Sequence, residues 1–109
     1  MTNVVKVLGQ LNPSANTATD LYTVPAATSA VISTITVCNR SATATTFNIA
    51  IRPAGAAIAN QHYLYYQVTL AGNDTFAATL GITLATTDVV TVLATLATLS
   101  FSMFGQEIS

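Results

Sequence analysis

The sequence has no tryptophan, one cysteine, one histidine and very little charge: Lys6, Arg40 and Arg52 against Asp20, Asp74, Asp88 and Glu107. Each shortage excludes something. A single cysteine, Cys38, cannot form an internal disulfide framework or a cysteine-built zinc site. A formal net charge of −1 supplies no positive field for phosphates, so nucleic acid is not an expected partner. Gly9, Gly55, Gly72, Gly81 and Gly105 stand apart from one another, so no phosphate-cradling loop forms and no cofactor is expected. The N-terminus lacks a basic segment followed by an apolar one, which predicts synthesis in a cytoplasm without export. The most apolar stretch, between Asp88 and Glu107, is interrupted by Thr, Ser and Gln, so no membrane helix is expected.

Charged residues make up 6% of the chain, against about 25% in an ordinary soluble domain. Charge normally holds free monomers apart. A surface without it is expected to be covered in an assembly, and a homo-oligomer is expected here. What fills the chain instead is 18 Ala and 19 Thr, with Val and Ile among them. Thr, Val and Ile favour strands through their branched Cβ. At 51% hydrophobic, 109 residues are enough for one folded domain that buries roughly two-thirds of its unfolded surface.

Alternation of apolar and polar residues recurs along the chain, and no segment keeps a helical period. Strands are predicted over residues 3–8, 20–24, 29–39, 46–52, 62–70, 75–84, 89–93 and 96–104. Phe47, Ile49 and Ile51 face one way and Thr46, Asn48, Ala50 and Arg52 the other, the mark of a half-buried strand. Residues 53–60 read as a loop with a short turn of helix. Ala71-Gly72-Asn73-Asp74 predicts a hairpin, and the last two strands predict another. Residues 1–19 are predicted as an N-terminal strand or arm before a β-domain over 20–109, with Gly105–Ser109 as a polar tail. The expected fold class is all-β: an antiparallel β-sandwich or jelly roll of about eight strands, with a small closed barrel as the alternative.

Few residues offer chemistry. His62 is the only general-base candidate and reads as a strand-entry residue. Asp74 and Asp88 sit where Asp caps turns by accepting backbone N–H groups. Cys38 reads as a small buried hydrophobe. No catalytic or metal-binding set emerges, and an enzyme is not expected. The cluster Tyr63, Tyr65 and Tyr66 is the strongest binding feature, since tyrosine gives large contact area at low entropic cost. In an unbroken strand Tyr63, Tyr65 and Gln67 share the face opposite Leu64, Tyr66 and Val68. These three, with Arg52 and Lys6, form the expected interface set, facing another subunit or a sugar.

The run LYTVPAATSAVISTITVCNR, residues 21–40, resembles small structural proteins of tailed bacteriophages, in which an LYTVPA-x-T opening leads into a β-branched strand closed by a CN turn. TTFNIAIRPAGA (45–56), HYLYYQVTLAGNDT (62–75) and LGITLATTDVVTV (80–92) continue the likeness, which covers about residues 20–108. The resemblance is one of strands and turns and carries no active site. It implies a virion structural protein: a capsid decoration or cement protein on the outer capsid surface, with the major capsid protein as partner. The alternative it implies is a tail, neck, baseplate or fibre component with a receptor- or glycan-binding face.

Overall fold

The computed structural model describes residues 2–109. Met1 of the expected arm lies outside them. Eight strands follow one another: β1 (Asn3–Leu11), β2 (Thr19–Thr23), β3 (Ser29–Asn39), β4 (Thr45–Arg52), β5 (Tyr63–Leu70), β6 (Thr75–Leu84), β7 (Val89–Ala94) and β8 (Leu99–Ile108). Among the described residues there is no α-helix, only single 3-10 turns at Pro53–Gly55 and Asn60–His62. The strands form two antiparallel four-stranded sheets, β1-β8-β3-β6 (sheet A) and β2-β7-β4-β5 (sheet B). First pairs with last, second with seventh, third with sixth and fourth with fifth, as if one long hairpin were rolled up. That is the jelly roll. Two separate sheets replace the barrel alternative.

The core lies between the sheets. Sheet A contributes Ile32, Ile35, Val37, Leu99, Phe101 and Met103, and sheet B contributes Phe47, Ile49, Val90 and Val92. The period-2 pattern predicted the inward faces of β4 and β8, because alternate side chains of a strand take opposite sides. On β3 a register shift between Ile32 and Thr34 lets Ile32 and Ile35, three residues apart, both face inward. On β6 the predicted face, from Phe76 to Leu84, is also the less exposed one.

Four expectations are corrected. The turn at 71–74 does not close a hairpin: it carries the chain from β5 in sheet B to β6 in sheet A, and residues 95–98 do the same between β7 and β8. Turn chemistry reverses the chain but does not choose the partner strand. Gly72 is needed there because a Cβ would strike the Ala42 carbonyl. The polar tail is instead the end of β8, held between β3 and β1, the latter lying within the expected N-terminal strand or arm. The two chain ends pair, with Thr2 N–H donating to Ser109 O at 2.6 Å and Ser109 N–H to Thr2 O at 2.9 Å. Finally, β4 is buried on both faces, since Asn48 and Ala50 are covered as well as Phe47 and Ile49.

Candidate functional site

The covering of β4 comes from the 53–62 connection, which folds over the outer face of sheet B and is pinned there by Arg52. Its guanidinium donates to Asp20 Oδ1 (3.0 Å), Thr91 Oγ1 (3.1 Å), Ala56 O (2.8 Å) and Gly55 O (3.0 Å). Asp88 secures the same connection, accepting from Ala54 N–H at 2.9 Å, while its other oxygen takes Ala85 N–H at 2.9 Å. Arg52, expected at an interface, therefore spends its donors inside the chain.

The tyrosine cluster is split rather than shared. On β5 the register slips twice, between the Ile49↔Tyr65 and Ala50↔Tyr63 pairs and between Ile49↔Tyr65 and Phe47↔Val68. At the second slip Gln67 adopts a left-handed φ of 51°, and its N–H donates to Asn48 Oδ1 at 2.6 Å. A bulge of this kind inserts a residue and reverses which side chains face inward. Tyr65 and Val68 thus point to the core, and Tyr65 stands edge-on to Phe76 with centroids 5.1 Å apart. Tyr66 and Leu64 face solvent, and Gln67 is exposed. This corrects the single outward face of Tyr63, Tyr65 and Gln67. A β-bulge leaves no local signature in a run such as YLYYQV, so the alternation could not reveal it.

Tyr63 is half-buried and packs edge-on to Tyr66 at 4.8 Å. Beside it is a cleft of about 220 Å³ lined by Ala18, Asn48, Ala50, Ile58 and Leu93. The Asn48 carboxamide oxygen is used by Gln67, which turns the amide NH2 to the only remaining role it has, donation.

Lys6 lies at the other end of the charge inventory, on β1. Its ammonium pairs with Glu107 at 3.2 Å, and the Tyr22 hydroxyl donates to the other carboxylate oxygen at 2.5 Å. The Tyr22 hydroxyl above all holds the Glu107 carboxyl below the usual range; burial opposes it, and the hydrogen bond and charge of Lys6 add to the lowering. Burial, followed by the hydrogen bond to Glu107 and its charge, pushes the Tyr22 phenol far above its usual range. Both shifts set pH limits on stability. Glu107 stabilises the fold above the ordinary glutamate value of about 4.3 and loses that contribution as pH falls below it. Tyr22 leaves stability intact below its ordinary value of about 10, and stability declines as pH rises past it. Tyr22→Phe is expected to cost about 1.5–3 kcal/mol at neutral pH, the range for a hydrogen bond to a charged group. Thermal melts should show the deficit narrowing as pH falls below the ordinary glutamate value and Glu107 becomes protonated. A deficit unchanged across that range would mean that packing, not the hydrogen bond, carries the effect.

The remaining reactive residues serve the backbone. His62 Nδ1 accepts from Ala59 N–H at 3.1 Å, and Asp74 Oδ1 accepts from Thr75 N–H at 2.8 Å. Cys38, expected to be buried, is half-buried on the outer face of sheet A between Ser100 and Thr75. Among the described residues no three His, Cys, Asp or Glu side chains cluster as a metal site would require. No helix among them is long and apolar enough to cross a membrane.

Among the described residues, no connection folds over the outer face of sheet A. Asn3, Val5, Val7 and Gln10 of β1, the even-numbered residues of β8, Val31, Ser33 and Thr36 of β3 and the odd-numbered residues 75–83 of β6 stand on it, and none is charged. Val5, Lys6, Val7, Val31 and Phe104 are among the residues that line a shallow groove of about 410 Å³ there. Sequence reasoning expected a neutral surface but did not gather it on one sheet. No protein-family model, curated protein or solved structure matches the chain.

Proposed function

We propose that the chain is a virion structural protein of a tailed bacteriophage, acting as a capsid decoration or cement protein. The observation that carries the reading is the uncharged, uncovered outer face of sheet A. A face of Thr, Ser, Ala and Val is suited to lying on another protein through apolar contact and neutral hydrogen bonds, and it meets no electrostatic barrier when many copies sit side by side. The LYTVPAATSAVISTITVCNR resemblance supports the phage setting, and the jelly roll is an architecture found in viral capsid and lectin domains, among others. In this role the chain does no chemistry. It binds the assembled shell, with the major capsid protein as partner on the outer surface, and stabilises it by mass action because it binds the closed lattice and not its separated parts.

A second reading places the protein in the tail, neck, baseplate or fibres, with the Tyr63 side of sheet B against a receptor or glycan. The cleft beside Tyr63, with its apolar walls and the Asn48 amide donor, favours it. Fold alone does not separate the two, since function lives in sites and not in architectures.

Copy number in purified particles, measured by quantitative mass spectrometry against the major capsid protein, tests the choice. Near-stoichiometric copies are the expected result. A few dozen or fewer would move the protein to the tail, and absence from the particle would remove both readings.

A further inference from the structure

We infer that β1 is a self-association edge, along which two copies of the chain pair antiparallel about a two-fold axis to join their A sheets into one. Four strands lie at sheet edges: β1, β6, β2 and β5. An edge strand presents unpaired N–H and C=O groups, and proteins usually blunt it by shortness, bulges, proline or projecting charge. β2 is short, bulged and followed by Pro25, and β5 is bulged twice. β6 exposes Thr, Ala and Gly and no large apolar side chain. β1 differs. Its first half pairs in unbroken register with β8 from Asn3↔Ile108 to Val7↔Phe104, so its free edge is straight. Val5 is 83% exposed, with Val7 at 48% on the same face and Val4 at 45% on the other.

The repeating row of backbone groups on a free edge is matched in register by another extended strand. A second copy fits best because antiparallel pairing of identical strands is self-complementary: the same residues contribute from both sides. Charge also permits it. Lys6 is the only charged residue of β1, and an unpaired lysine there would repel its counterpart across the axis. Here each Lys6 carries its own counter-ion in Glu107, at 3.2 Å, so two edges meet as neutral surfaces. With Val5 near the axis, valines face valines, and the uncharged outer faces of the two A sheets run on without a break.

This pairing stands on the strand itself, independently of any role in a particle. Sedimentation equilibrium of the purified full chain, from micromolar to near-millimolar concentration, tests it. The expected result is a reversible dimer of the 11.3 kDa chain. Val5→Lys puts like charges opposite one another and should raise the dissociation constant roughly tenfold or more, and V5K/V7K should leave monomer only, with unchanged far-UV circular dichroism. Thr79→Lys, on the β6 edge of the same sheet, should leave the dimer intact. A wild-type monomer throughout, a trimer, or a dimer that survives V5K/V7K would overturn the inference. None of these outcomes alters the copy-number test, so the two readings fail separately.

Discussion

Phe47→Ala is expected to cost about 3–5 kcal/mol, the loss seen when a large core aromatic is emptied to alanine. For a chain of this size that is a fall of roughly 15–25 °C in Tm. Phe47 is fully buried on β4 of sheet B, and its ring meets Phe76 of β6 at 5.2 Å and Phe101 of β8 at 6.2 Å, both on sheet A. It is therefore one of the main contacts between the two sheets. Neither neighbour can fill the space, because each is fixed on a paired strand. Tyr66→Ala removes a ring that is 61% exposed and should cost less than about 1 kcal/mol. Urea unfolding of the two variants gives the comparison directly. Equal losses would mean that the aromatic core does not clamp the sheets together.

Asn39→Ala is the second large effect. Asn39, at the end of β3, is 1% exposed. Its amide donates to Thr43 O (2.9 Å), Ala71 O (3.2 Å) and Leu70 O (3.4 Å), and its oxygen accepts Ser41 N–H at 3.1 Å. One side chain thus ties the 40–44 connection to the 71–74 connection, at the point where the chain passes between sheets. Alanine leaves the buried Leu70 carbonyl and the part-buried Thr43 and Ala71 carbonyls without this donor, at about 1–3 kcal/mol for a buried group left unsatisfied. A total of roughly 3 kcal/mol is expected. Asn39→Asp should be worse at neutral pH, since it turns a carboxylate oxygen towards those carbonyls in a buried place. Its deficit should shrink as pH falls and the side chain gains a proton to donate. The opposite order, with alanine worse than aspartate at pH 7, would show that water enters and serves these carbonyls.

Asn39 also marks how far local reading reaches. The CN turn was visible as a chain reversal, because Asn bonds its own backbone neighbourhood. Its reach to residues 70 and 71 was not, because those groups are brought near only when β3 and β5 lie in facing sheets. Arg52 repeats the point. In sequence it alternates outward from Phe47 and Ile49 and looks free for a partner. In the fold the connection that follows it returns over sheet B and takes up its donors. Of the expected interface set, Tyr65 and Arg52 are drawn into the protomer, Lys6 is neutralised by Glu107, and Tyr63 and Gln67 flank the cleft edge of sheet B.

That the chain is made of strands, where most of them run, and which residues of β4, β6 and β8 face the core could be read from the sequence. The reason is that β-branched propensity and the two-residue alternation are local properties. The face of β3, in contrast, changes parity at a register shift between Ile32 and Thr34 that no local pattern announces. Three features emerge only once the chain is folded: most consecutive strands cross between sheets, a bulge reverses β5, and one sheet face is covered while the other stays open. Strand partnership is a contest among distant segments of similar composition, won by the arrangement that buries the most apolar surface with every backbone group paired, and no short window of residues contains both contestants.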